Sequence, residues 1–557
     1  MIRAADAKLG GLAMTLRDWL LGGLVTPGLI AGPALAQTAP SRALPGMVEQ
    51  APVTGTDTLD RAIADAYRNN PQLEAQRAQL RALDETVIQA SAPYRLQSSV
   101  GASIRYQEQV QRDVIFEDLV TNRARATGIS LSASQILFNG GRTAARVSAA
   151  EASVLSGRER LREVENFIIQ EVIDSYISVL RDQRIVEIQR RSTQSYQRQV
   201  DQARARERGG DLTRTDIAQA EAQLGIIQTQ LAQAEANLER SRARFAAAVG
   251  RNPGQLQPPP PLPGIPSSID MAFRLAEAES PTLWQAILNE RAGRAQIAAE
   301  RAERNPILSA DASIGLNDPS GIGFNNLRRG ASAAATLTIP LLTGGLIDSR
   351  VRQALANQQS LAFNVEATRR GVASQIQNAW NQAVSSGEQL AIGQAASQAA
   401  ETALEGVRRS FQEGFRSNFE VLDSEQRLLN AQIIVANAEY QRYASQANLL
   451  TYVGRLQAAA LSAVEPYDMA ENLKRQKGKQ IDPFQLFVRP LDQLAQAPDD
   501  PREAPMLPIT ANPTFRRAET PPPSRPLGRA LPVDPARPRP ALPDQDAPTP
   551  AQKMQPR

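Results

Sequence analysis

Residues 99–106 read SVGASIRY, a stretch in which apolar side chains alternate with small or polar ones. Three further stretches repeat the pattern, which are GISLSAS at 128–134, LSADASIGL at 308–316 and SAAATLTI at 332–339. Successive side chains of a β-strand point to opposite faces, so each stretch predicts a strand with one apolar face. The pattern is typical of a barrel with a lipid-facing outside and a wet lumen. It also fits a half-buried soluble sheet that packs on a helix.

The number of predicted strands bears on the number of chains. Four strands cannot close around a wet lumen, which takes about twelve, and an open sheet leaves two unpaired edges that lipid does not tolerate. Three copies around a cyclic axis give twelve strands and no edge. After the N-terminal region, no segment is long and apolar enough to cross a bilayer as a helix. We therefore predict a homotrimer that crosses a membrane through a shared barrel.

The N-terminus has the three parts of an export signal. Basic residues precede a short apolar run at 19–30, and the sequence ALA at 34–36 forms a small-residue cleavage site. An alternative is an N-terminal helix that stays buried or membrane-bound, but glycine and proline interrupt the run. We predict a signal peptide over residues 1–36, with translation starting at Met1 or Met14, and a mature chain outside the cytoplasm.

The composition excludes several classes of function. The 557 residues include no cysteine and no histidine, which excludes thiol or imidazole nucleophiles, zinc sites built from these ligands, and disulfides. The 62 Lys and Arg residues are interleaved with 58 Asp and Glu, which indicates solvated helix faces and no nucleic-acid partner. A carboxylate hydrolase remains open on composition, but no pair of acids in a recognisable pocket supports it. We predict no enzyme, no catalytic residue, no cofactor and no metal site.

The chain contains one internal duplication. Three segments of the first half recur in the second half at a nearly constant spacing. The matching pairs are 59–73 with 269–283, 137–141 with 341–345, and 210–216 with 414–420. This spacing predicts one elongated structure made of two repeats. The predicted divisions after the signal are a first repeat at 56–252, a Pro-rich linker at 253–267, a second repeat at 268–460, and a basic, then Pro-rich, disordered tail at 465–557.

Each repeat ends in two long helical patterns joined by a glycine-containing turn. Residues 143–208 and 211–249 contain no proline, and apolar residues from Ile217 to Phe245 recur at spacings of three and four, as in a coiled coil. The second repeat carries a similar seam from Val421 to Leu449. Glycine ends a helix in the left-handed conformation. The candidate caps of the following helices are Asp211, Ser417 and Asn418.

Apolar side chains lie at or beside both turns. They are Leu212, Phe415 and Phe419. One interpretation is a hydrophobic staple that holds each hairpin closed. The other is a docking surface for a partner protein. The sequence leaves both open.

These features together resemble the TolC family of outer-membrane efflux proteins, over about residues 56–460. They are the signal, the duplicated plan, the strand ends FNGG at 138–141 and LTGG at 342–345, and the two turns. The resemblance implies a mainly α fold with a small β part, in which a homotrimer forms a twelve-stranded outer-membrane barrel and a long periplasmic helical tunnel. Some members carry a lipidated N-terminal cysteine, which this chain lacks.

The resemblance also implies a function and partners. It implies passive export of drugs, small molecules or type I secreted proteins through the outer membrane of a Gram-negative bacterium. An inner-membrane pump, either an ABC or a proton-driven one, powers the export through a periplasmic adaptor. The alternative of another class is a soluble periplasmic coiled-coil scaffold or adaptor.

Two sets of site residues follow from the resemblance. The adaptor-docking tips correspond to Gly210, Leu212, Thr213, Asp216, Gly414, Phe415, Ser417 and Glu420. The family closes its periplasmic end with acidic and polar residues shortly before the second tip, which selects Glu405 and, one turn earlier, Glu401. Three copies of an acid would form a ring that favours cations and can bind a divalent metal. Either acid equally fits a solvated helix face.

Overall fold

The computed structural model describes residues 56–112, 119–210, 212–318, 326–478 and 485–495. The predicted signal peptide and the Pro-rich part of the predicted tail lie outside these residues. In chain order the elements are β1 Thr56–Asp57, α1 Leu59–Asn69, α2 Pro71–Ala90, β2 Gln97–Arg112, β3 Leu119–Phe138, α3 Arg142–Gly209, α4 Arg214–Val249, β4 Gln255–Leu256, α5 Ile269–Glu279, α6 Pro281–Arg301, β5 Ile307–Asp318, β6 Arg328–Thr338, α7 Leu346–Gln412, α8 Asn418–Val453, α9 Ala458–Leu461, α10 Glu471–Gly478 and α11 Gln485–Leu494. The predicted class, mainly α with a small β part, is confirmed.

The four predicted strands form one antiparallel sheet in the order β2-β3-β5-β6. Val100 lies opposite Leu131, and Leu131 opposite Ile314, so apolar side chains meet across three strands. Ser99 lies opposite Ser132, and their hydroxyl oxygens are 2.8 Å apart. The sheet therefore has one apolar face and one serine-rich face, as the alternation predicts.

The apolar face of the sheet is uncovered in the single chain. Val100 and Ile104 on β2 are 74% and 71% exposed, and Leu131 on β3 and Leu337 on β6 are also exposed. The edge strands β2 and β6 each pair on one side only among the described residues. This sheet consequently presents both an apolar surface and two open backbone edges.

Strands β2 and β3 extend well beyond the alternating stretches that predict them. The ladder between them continues to Arg112 and Leu119, through a segment rich in Gln, Glu and Arg. The hydrogen bonds of an antiparallel ladder join backbone N–H and C=O groups, which polar residues supply as well as apolar ones. Because the polar extension lacks the apolar alternation, the sequence pattern marks only the part of each strand nearest the helices.

The helices α3 and α7 have 68 and 67 residues, which corresponds to about 100 Å each at 1.5 Å per residue. Each packs on the helix that follows it, α3 on α4 and α7 on α8, to form two long hairpins. The predicted seam of α4 is largely buried, including Ala220, Ile227 and Phe245. Among the helices that the structure describes, none combines the length and the apolar character needed to cross a bilayer.

A buried ion pair fastens the start of the first repeat to its end, next to the linker. Strand β1 pairs in parallel with β4, and the carboxylate of Asp57 accepts hydrogen bonds from Arg251 at 2.6 and 2.8 Å. Arg251 also donates to Asp65 at 2.8 Å. Burial acts to raise the pKa of Asp57, but Arg251 and the N–H of Gly254 outweigh it and hold the pKa below its usual value.

Two helices lie in the region 465–495, where the sequence predicts no regular structure. On α10, the amide of Asn472 donates to the buried carboxylate of Asp84 at 2.9 Å. On α11, Asp492 is buried against the start of α3. These contacts join residues more than 300 positions apart, so no local pattern reveals them.

Candidate functional site

The first helical tip is a tight turn built from its own polar groups. Helix α3 ends at Gly209, and the next residue, Gly210, has a φ of 88°, in the left-handed region that favours glycine. Helix α4 begins after Thr213, whose hydroxyl accepts from the N–H of Asp216 at 3.3 Å. In return, the carboxylate of Asp216 accepts from the N–H of Thr213 at 3.0 Å. The hydroxyl of Thr213 also donates to this carboxylate at 2.7 Å. The N–H and the hydroxyl of Thr213 together hold the pKa of the half-buried Asp216 below its usual value, because both bonds favour the charged carboxylate.

The second tip repeats this geometry 204 residues later. Gly414 has a φ of 84°, and the hydroxyl of Ser417 accepts from the N–H of Glu420 at 3.3 Å. The carboxylate of Glu420 accepts from the N–H of Ser417 at 3.1 Å. It also accepts from the guanidinium of Arg416 at 3.1 Å. Both tips therefore have a glycine, a hydroxyl three residues later, and an acid three residues after that.

Two of the three predicted cap residues do not serve as caps. The cap of α4 is Thr213 and not Asp211, which lies outside the described residues. The cap of α8 is Ser417, whereas Asn418 is the first helical residue and is buried. The hydroxyl stands three residues before an acid in both tips, and this spacing allows the two reciprocal bonds that a neighbouring Asp or Asn would not make.

The apolar residues of the tips differ in burial. Phe415 is 79% exposed, and Phe419 on the first turn of α8 is also exposed. Leu212 is half-buried. A staple must bury its side chain against the hairpin, so Phe415 does not act as one. Ser417 and Glu420 bond to each other within the turn, whereas the rings of Phe415 and Phe419 are exposed to solvent.

The two predicted gate acids lie on α7, before the second tip. Glu401 and Glu405 are both exposed, and they share a helix face because they are four residues apart. Arg409 donates a hydrogen bond to Glu405 within the same helix. Leu404 between them is buried, whereas both acids remain open to solvent in the single chain.

A buried polar cluster near the second tip was not predicted. The carboxylate of Glu425 on α8 is buried and accepts from Arg408 at 2.6 Å and from Ser195 at 2.9 Å. Gln199 donates to the same oxygen at 3.2 Å. The cluster links α7, α8 and α3 beside a cavity of about 580 Å³. One feature of the sequence could have indicated this cluster. Glu425 lies three residues after Leu422 and four residues before Leu429, so it falls on the apolar stripe of α8.

The comparisons with known proteins agree with this architecture. The family model for outer membrane efflux proteins matches residues 62–251 and 272–455, which are the two helical repeats. The chain is 29% identical over 429 residues to the outer membrane efflux protein BepC of Brucella suis, covering 76% of this chain and 91% of BepC. It is 23% identical over 427 residues to the outer membrane protein TolC of Escherichia coli, covering 73% and 84%.

A solved channel structure shares the fold. The outer membrane channel CmeC of Campylobacter jejuni superposes with a TM-score of 0.65 at 15% identity, over 76% of this chain and 90% of CmeC. The predicted resemblance to the TolC family is confirmed. The chain therefore belongs to the outer membrane efflux protein family, and its predicted place in the outer membrane is confirmed.

Proposed function

We propose that the chain forms a homotrimeric channel for passive export, with its sheet in the outer membrane and its long helices in the periplasm. The observation that supports this most strongly is the four-stranded sheet, which is apolar on one face, serine-rich on the other and open at both edges. An exposed apolar face of this kind is unfavourable in water and favourable in lipid.

The open edges argue for three copies. An unpaired backbone N–H or C=O in hydrocarbon costs several kcal/mol, and β2 and β6 each carry a row of such groups. Pairing β6 of one copy with β2 of the next satisfies both rows, and three copies supply twelve strands. The serine-rich face would then line a wet lumen.

The tips supply a surface for a periplasmic adaptor. Phe415 and Phe419 are exposed on a turn whose backbone is fixed by a capping box. Rigid, exposed aromatic side chains are the usual anchors of protein interfaces. We infer that these tips bind the adaptor, and that an inner-membrane pump, ABC or proton-driven, delivers drugs, small molecules or proteins into the tunnel.

Fractionation tests this proposal against the alternative of a soluble periplasmic scaffold. If the chain forms the channel, it should stay in the outer-membrane fraction after osmotic shock and need detergent for extraction. It should also migrate as a trimer on semi-native gels. The purified trimer should also conduct ions in planar bilayers. A monomer released by osmotic shock would favour the scaffold.

We expect the double change Glu401→Ala and Glu405→Ala to raise the single-channel conductance and lower the cation selectivity. Removing an acid ring from a constriction widens it and removes the charge that attracts cations. The matched control is Glu388→Ala, which removes an exposed acid from another face of the same helix. Planar-bilayer recordings measure both quantities. Conductance and selectivity unchanged in the double variant would remove these acids from the gate.

A further inference from the structure

Helix α11 is held to the protein by one buried carboxylate. Asp492 is 1% exposed, and its two oxygens accept from the backbone N–H groups of Gly141 at 2.8 Å and Ala144 at 3.1 Å. The N–H of Asn139 contributes at 3.4 Å, and the hydroxyl of Tyr94 at 2.9 Å. Asp492 thus caps the N-terminus of α3, where a negative charge is favoured by the free N–H groups.

The remaining surface of α11 has two different faces. Val488 and Asp492, four residues apart, form the buried face. Phe487, Leu491 and Leu494 share a second face by their spacing of four and three, and their side chains are 74%, 56% and 85% exposed. A third face carries the exposed Arg489 and Gln493, together with the exposed Leu486 on the first turn. The helix is therefore docked on one side, apolar on another and mixed on the last.

Helix α11 lies at the boundary between the sheet and the long helices. It packs against β3, the turn at Ala92–Tyr94 and the start of α3. This is the end of the sheet where all four strands connect to helices. At the same end, Leu341 and Leu342, between β6 and α7, are 86% and 97% exposed. Exposed apolar side chains of α11 and of this loop thus lie where the apolar sheet face ends.

Basic residues stand on the helix side of this boundary. Helix α10 contains the sequence KRQK at 474–477, and Lys477 is 3.0 Å from Glu151 of α3. Glu151 is seven residues beyond Ala144, about 10 Å further along the helix axis. Lys474 also lies 4.0 Å from Asp468, whereas Arg475 between the two lysines is exposed. Apolar groups at one level and an exposed cation about 10 Å beyond fit a segment that lies in a membrane interface.

We propose that α11 is an interfacial membrane anchor, whose apolar face inserts into the inner leaflet of the outer membrane while Asp492 fixes the helix to the strand–helix junction. This inference rests on the proposed function, because it requires the sheet to lie in the membrane. The partner is phospholipid, since the exposed apolar side chains of α11 lie at the end of the sheet where the strands meet the helices, and the basic segment stands on the helix side of that level.

Spin labels test the anchor without background, because the chain contains no cysteine. Single cysteines at Phe487, Leu491, Gln493 and Ile104 are labelled with a nitroxide in the full chain. The protein is reconstituted in vesicles of phosphatidylethanolamine and phosphatidylglycerol. Power saturation then measures collision with oxygen, which concentrates in lipid, and with a water-soluble nickel chelate. Gln493 is the matched control, because it lies on the same helix but off its apolar face. The label at Ile104 reports whether the sheet lies in lipid.

The expected result is a ratio of oxygen to chelate accessibility at Phe487 and Leu491 that is several-fold higher than at Gln493 and similar to that at Ile104. Asp492→Ala should raise the mobility of the label at Phe487, because the helix loses its attachment. Chelate access at Phe487 equal to that at Gln493 would overturn the anchor, and so would labels shielded from both reagents by a second copy. A water-exposed label at Ile104 would instead contradict the proposed function.

Discussion

Phe415→Asp is expected to abolish export while the trimer remains intact. The ring is 79% exposed and makes no part of the hydrogen bonds between Ser417 and Glu420 that shape the turn. The substitution should therefore leave folding unchanged. Removing an aromatic anchor from an interface lowers the binding free energy by about 2 kcal/mol or more, which is roughly a thirtyfold loss of affinity. Burying the carboxylate of the new Asp in the same apolar contact is far more unfavourable still. Leu212→Asp should act in the same direction at the first tip.

The measurement is accumulation of a fluorescent efflux substrate in cells whose own channel gene is deleted and replaced by each variant. Semi-native gels of the same membranes report the amount of trimer. Phe415→Tyr is the matched control, because it keeps an aromatic ring at the tip and should retain export. Normal export by Phe415→Asp, with trimer at the level of the unmodified chain, would mean that the tip residues only shape the hairpin.

Arg251→Ala should lower the free energy of unfolding by about 3–5 kcal/mol, which is the usual cost of breaking a buried ion pair. Asp57 has 0% exposure and keeps its charge in the native state through Arg251. Without the guanidinium, this carboxylate remains buried without its cation. Arg242→Ala is the control, since Arg242 and Glu239 form an exposed pair on α4 and should contribute less than about 1 kcal/mol.

Guanidinium unfolding of the detergent-solubilised protein, followed by circular dichroism, measures both changes. Equal losses for the two variants would show that the Asp57 pair does not stabilise the fold. The same pair predicts a pH dependence. Because the pKa of Asp57 is lowered from 3.8 in the folded chain, its stabilisation is present above pH 3.8 and is lost as the pH falls further. Asp57→Asn should remove this part of the acid sensitivity.

Local patterns predicted most of the elements, because their causes are local. The alternation around Val100 and Ile314 predicted two of the strands, and the register of the sheet then placed these residues in one apolar row. Glycines in the left-handed region ended α3 and allowed the turn before α8. The cap of α4 was mispredicted because Asp and Thr are both good caps, and only the reciprocal bond with Asp216 decides for Thr213.

The sequence by itself determined the helical hairpins, the strands and their duplication, since helix and strand periodicities are read along a single segment. The tertiary structure alone decided which polar residues meet. Arg251 binds Asp57 from 194 positions away, and Asp492 reaches Gly141 from 351 positions away. Such pairs follow from how packed elements bring distant residues together, and one buried carboxylate satisfies several donors from different parts of the chain. Periodicity carries no record of these partners, so the sequence could not assign them.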